Sequence, residues 1–145
     1  VSCFRLSAAT ALGSDELVLV QEHLTLDPLP RLVQTARSFV DRATPDIGSE
    51  LREVLLLLTS ELVTNAVIHA RTPFEIGVTV TDRSVLVTVH DEDLGHSEPP
   101  GTGREGGRGL ILVGSLAAAS DVERHPGDGK TAWFRLDREV QGGAA

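Results

Sequence analysis

The chain reads as an α+β fold, a two-layer sandwich with a mixed β-sheet and helices on one face, and three observations predict it. Strand-like runs bounded by turn residues occur toward both ends of the sequence, the first of them rich in Val and Leu. Two helix-length apolar segments lie between the first and second of these runs. Neither an internal repeat nor a linker divides the 145 residues, a length that suits one hydrophobic core.

The elements follow in order. Leu17–Leu26 is rich in Val and Leu and reads as a strand. Asp27-Pro28 predicts a helix start, with Asp27 as cap and Pro28 tolerated in the first turn. That helix carries Leu32, Val33, Ala36, Phe39 and Val40 on one face and ends before Thr44-Pro45. Ser49 opens a longer helix to about Ala70, apolar nearly all round and so expected to be central and buried. Thr72-Pro73 stops it. Phe74–Thr81 and Val85–His90 read as two strands joined at Asp82-Arg83. Asp91–Gly107 has no periodicity and is long for a loop, which fits a functional lid. Gly109–Ala119 reads as a helix, and Asp121–Arg124 with Lys130–Leu136 as a hairpin across Gly127-Asp128-Gly129. Residues 1–16 are expected to be a flexible segment, 17–138 the folded domain and 139–145 a disordered tail.

Composition narrows the function classes. An apolar content of 41% marks a globular chain. A net charge of −8 works against direct binding of nucleic acid phosphates. No run is long enough to span a membrane, and the short Ala8–Leu12 stretch, ended by Gly13-Ser14-Asp15, does not read as a signal peptide. The lone Cys3 excludes an internal disulfide and fits a reducing compartment, so a cytoplasmic location is expected.

Three places carry candidate chemistry. Glu61 and Asn65 lie four residues apart on one face of the long helix, which also holds Val54, Leu58 and Leu62. A carboxylate and an amide on an apolar stripe need partners, and a metal ion with a reacting hydroxyl would supply them. The alternative is a surface stripe with a helix-stabilising side-chain bond. Asp91 ends the strand Val85–His90 and can accept from the exocyclic amine of a bound base. The alternatives there are a solvated loop acid or a metal cluster of His90, Asp91, Asp93 and His96, whose spacing fits no standard ligand pattern. Gly101–Gly109, with Arg104 and Arg108 among the glycines, leads into a helix. Such a segment can wrap phosphate oxygens, its alternative being a flexible linker. Gly129-Lys130-Thr131 imitates the end of a P-loop, but Arg124 stands where the leading Gly is required and the segment joins two strands.

In this order, a helical E-x-x-x-N, a hairpin, an Asp at a strand end, a Gly-rich lid and a final strand with Gly-Lys-Thr resemble the histidine-kinase-like (GHKL) ATPase domain. Glu61–Ala70, ELVTNAVIHA, is similar to that family's N-box, and the likeness runs from about Leu24 to Leu136. Within the family the chain looks most like the anti-sigma-factor protein-serine kinases of Gram-positive bacteria, of actinobacterial type.

The resemblance implies the Bergerat fold and binding of ATP with Mg²⁺. It makes Asn65 the metal ligand and Glu61 the general base. Asp91 becomes the acceptor for the adenine amine, with Thr131 nearby through water. Gly95, Gly106, Gly107 and Gly109 wrap the phosphates, bordered by Arg104 and Arg108. It implies transfer of the γ-phosphoryl of ATP to a serine or threonine of an anti-anti-sigma factor, a sigma factor as a further partner, and a homodimer. The alternative is a non-catalytic module that sequesters a sigma factor or its antagonist, with ATP structural or absent. The pattern D-x-G-x-G is broken at Asp93, which stands where its first Gly is expected.

Overall fold

The computed structural model describes residues 11–69, 72–92 and 111–138. The elements are β1 (Val18–Leu26), α1 (Leu32–Ala43), α2 (Ser49–His69), β2 (Phe74–Thr81), β3 (Ser84–Asp91), β4 (Ala119–His125) and β5 (Gly129–Asp137). Residues 111–116 add a short helix. The strands form one sheet in the order β1-β2-β3-β5-β4, and the helices supply the second layer.

The fold is α+β, as expected, but among the described residues every neighbouring pair of strands is antiparallel, so the sheet is not mixed. The connections explain this. A single crossover helix returns the chain to the start of a strand and yields a parallel neighbour. Two successive helices leave it at the end where β1 finished, so β2 runs back along β1. Of the other three neighbours, β2–β3 and β4–β5 are hairpins, and β3–β5 is an antiparallel pair of strands that are not consecutive in the chain.

Strand alternation builds the core. Phe74, Ile76, Val78 and Val80 of β2 face the helices, as do Val85, Val87 and Val89 of β3 and Phe134 and Leu136 of β5. Against them pack Ala36 and Val40 of α1 and Leu55, Leu58, Leu62, Val63 and Ala66 of α2. Each large side chain buried this way contributes about 1.5–3 kcal/mol.

Two helices differ from expectation. Helix α1 begins at Leu32, after Arg31, with no side-chain cap. Leu29 precedes Pro30 and is therefore pushed out of the helical region, which leaves Asp27 in a turn whose carbonyl accepts from Leu29 N–H at 2.8 Å. At its other end the Thr44 hydroxyl donates to Val40 O at 2.8 Å and closes the helix before Pro45. Helix α2 matches its expected span but is not buried all round: Leu57 is 42% and Ile68 53% exposed. Near the C-terminus, β4 starts at Ala119, paired with Arg135, where a helix was expected to continue.

Residues 11–16 lie against the sheet face that the helices leave open. Ala11 and Leu12 pack on Leu86 and Trp133, and Arg135 Nη1 donates to Ala11 O at 2.9 Å. The Thr81 hydroxyl donates to Glu16 Oε1 at 2.6 Å. Partial burial pushes the Glu16 carboxyl upward, yet this bond and its neighbours hold it below the usual value.

Candidate functional site

One end of the molecule gathers the last turns of α2, the start of β2, the end of β3 and the start of β5. Helix α2 runs toward Thr72 and Phe74, and Phe74 is the register partner of Asp91. The tie is direct, because Glu92 N–H donates to Thr72 Oγ1 at 3.4 Å. Asn65 thus belongs to the same end of the fold as Asp91, with Glu61 one turn further back on α2.

Glu61 and Asn65 share the outward margin of α2. Both are half-buried, whereas Leu58 and Leu62 beside them are fully buried. The expectation that the pair sits within the apolar stripe is corrected: the hundred-degree step per residue puts it at the rim, between the core and the exposed Leu57 and Ile68. A rim position keeps both groups hydrated at little cost and accessible to a ligand.

Asp91 is the last residue of β3 and only 2% exposed. Its register partners are Phe74 on one side and Lys130 on the other. Gly129 makes this junction possible. Its φ is +79°, and a Cβ there would lie 1.9 Å from Asp91 O and 2.6 Å from Glu92 Cα. Only glycine lets the start of β5 pass so close to the Asp91–Glu92 backbone. In sequence, Gly129 stood out as a turn residue and as part of Gly-Lys-Thr, and nothing there pointed to its approach to Asp91.

Thr131 is not brought to this site. It pairs with His90, one residue out of phase with Asp91, so its side chain lies on the open face. There its hydroxyl is 2.8 Å from His90 Nδ1 and 3.1 Å from His125 Nε2. The two imidazoles lie 6.0 Å apart. Burial lowers the His90 pKa; the neighbouring Asp91 opposes this and His125 adds to it. The residue that does share a face with Asp91 is Lys130, which the sequence reading passed over. Its signal is the strand register, and spacing alone does not contain it.

His90 and Asp91 point to opposite faces, so they do not converge on one ion. Among the described residues no group of three or more His, Cys, Asp or Glu could hold a metal. Gly95, Arg104, Gly106, Gly107, Arg108 and Gly109, with Asp93 and His96, lie outside the described residues. A cleft of about 170 Å³ opens between α2 and the β4 edge, lined by Leu62, Val113, Ser120, Asp121, Val122, Ala132 and Trp133. It contains none of the sequence-predicted site residues. No helix among the described residues is long and apolar enough to cross a membrane.

Comparison with known proteins agrees with this fold. The profile of the histidine kinase-like ATPase domain matches residues 26–136. No curated protein matches the chain. Among solved structures, one similar fold is that of the RsbU and RsbW domains of Rv1364c from Mycobacterium tuberculosis, with a TM-score of 0.63 and 21% identity. The match covers 84% of this chain and 33% of that one, so this chain spans about a third of the length of that solved chain.

Proposed function

This chain belongs to the histidine kinase-like ATPase domain family, and from that premise we propose that it binds Mg-ATP and transfers the γ-phosphoryl to a serine or threonine of an anti-anti-sigma partner. The observation that carries the reading is the junction at the Asp91 end of the sheet. A buried carboxylate lies there, where the start of β5 approaches the Asp91–Glu92 backbone as closely as only Gly129 permits, at the end of the fold to which Asn65 belongs.

The residues present fit the nucleotide and its metal. Asp91 accepts from the adenine amine. Asn65 supplies one oxygen ligand, which suits Mg²⁺, an ion that takes most of its shell from phosphates and water rather than from a protein cage. The ion neutralises phosphate charge when bound. Glu61, one turn from Asn65, accepts the proton of the partner's hydroxyl as that oxygen takes the γ-phosphoryl and ADP leaves. The half-exposed position of Glu61 supports this role, because the acceptor belongs to another protein. An anti-sigma role rests on the fold shared with a chain described as containing an RsbW domain. The same reading includes a homodimer and a cytoplasmic location, and sedimentation at high micromolar concentration tests the dimer.

The test separates binding from transfer. Asn65→Ala weakens Mg-ATP binding by about tenfold or more, roughly 1.4 kcal/mol, measured by calorimetry with and without magnesium. Glu61→Ala leaves ATP affinity near that of the unaltered chain and abolishes phosphate transfer to candidate anti-anti-sigma partners. Transfer that persists undiminished in Glu61→Ala removes Glu61 as the base. Tight ATP binding with no transfer to any partner leaves a sequestering module.

A further inference from the structure

The register sets Lys130 opposite the buried Asp91. Lys130 and Asp91 are opposed on neighbouring strands, so their Cβ atoms share the helix-facing side at about 4.5–5.5 Å. The pairing is held from two directions. Gly129 fits against the Asp91–Glu92 backbone with no room to spare. On the opposite face the Thr131 hydroxyl is engaged by His90 and His125. A slip of one residue would turn Lys130 to the open face and break both arrangements. Arg124 of β4 is the other register partner of Lys130. Like charges opposed across strands repel, which favours the Lys130 ammonium on the Asp91 side.

We propose that Lys130 is a base-reading residue: with Asp91 accepting from the N6 amine of adenine, Lys130 donates to the adjacent ring nitrogen N1. This rests on the reading of Asp91 given above and adds a second specificity element to it. Adenine offers a donor and an acceptor side by side on one edge. An ionised carboxylate only accepts and an ammonium only donates, so the pair matches that edge in one orientation. Guanine offers a carbonyl and then an N–H, the reverse order, and must shift to pair. Lys130 is half-buried and Asp91 nearly fully buried, so both meet a ligand in surroundings where an unmatched polar group is costly. A cross-strand ion pair alone requires the same proximity but makes binding indifferent to N1.

The probe is 1-deaza-ATP, which keeps the N6 amine and replaces N1 by a C–H. Binding of ATP, 1-deaza-ATP and GTP with magnesium is measured by calorimetry for the full chain, for Lys130→Met and for Lys130→Arg. The unaltered chain is expected to bind 1-deaza-ATP about tenfold or more weakly than ATP. Lys130→Met is expected to weaken ATP by about the same factor and to bind the two equally. Lys130→Arg, which keeps a donor, retains the discrimination. Equal binding of ATP and 1-deaza-ATP by the unaltered chain overturns the proposal without any variant having to fold, and leaves Asp91 as adenine acceptor standing. Lys130→Met that keeps the full preference for ATP also overturns it. Equal binding of GTP and ATP overturns the assigned orientation. Absence of ATP binding by the unaltered chain removes the nucleotide reading and this proposal together.

Discussion

The two faces of the sheet are buried by different physics. The helix face is mostly apolar: up to Val89 and Ala132, alternate residues of β2, β3 and β5 are Val, Ile, Leu, Phe or Ala, and they meet α1 and α2 in one core. The open face carries Thr79, Thr81, Ser84, Thr88, His90 and Thr131, with Leu86 and Trp133 as its apolar centre. Yet these polar residues are nearly as inaccessible as the core, Thr131 being 0% and His90 8% exposed. They tolerate burial because hydrogen bonds replace water: Thr81 with Glu16, Thr131 with His90 and His125. One face is held by area and the other by partners. The candidate site lies where the helix face ends, and the polar pairing behind it fixes the register in which Asp91 meets Lys130.

The comparison predicts a graded response. Phe134→Ala opens a cavity on the apolar face and is expected to cost about 3–5 kcal/mol in urea unfolding. A cost no greater than that of an open-face threonine substitution would erase the distinction. Gly129→Ala forces a Cβ into the Asp91 backbone and is expected to cost roughly 2–4 kcal/mol. Gly127→Ala in the same turn, with a φ of +82° and no atom within 4 Å of its Cβ, costs only about 1 kcal/mol. Equal losses at the two glycines would show that φ alone matters and that the close approach does not. Thr131→Val keeps the shape and removes the hydroxyl shared by the two imidazoles, for about 1–3 kcal/mol.

The smallest expected effect is a pH dependence from the open face. Burial lowers the His90 pKa below its unfolded value, so the folded chain binds fewer protons there. The contribution is fully present above the ordinary histidine pKa and is lost as pH falls from there toward the folded value. Thermal midpoints measured from neutral to mildly acidic pH should fall, and His90→Gln should flatten that slope. An unchanged slope in His90→Gln assigns the acid sensitivity to other groups.

Much of the fold was legible because its signals are local. A Val- and Leu-rich run marked β1, the Gly127-Asp128-Gly129 turn marked the β4–β5 hairpin, and Pro45 and Pro73 marked helix ends to within a few residues. The misses have different causes. Helix α1 starts late because Pro30 restrains Leu29, and β4 starts early because Ala119 pairs with Arg135 across the sheet. The antiparallel sheet follows from where two helices leave the chain, which no single segment encodes. Of the candidate site, Glu61 and Asn65 were legible as a pair because helical periodicity is intrinsic to the backbone.

By itself the sequence determined which residues are helical or extended, which stripes are apolar, and that Glu61, Asn65 and Asp91 are polar groups placed where apolar neighbours make them conspicuous. Its order of motifs pointed to the family that the profile match establishes. Only the tertiary structure decided that Thr131 faces away from Asp91 and that Lys130 takes the place beside it. The reason is physical. Side-chain direction within a strand alternates by rule, but the phase between two strands is set by the contacts that lock them. Here those are a glycine that admits a backbone and a hydroxyl between two imidazoles, contacts between elements far apart in the chain.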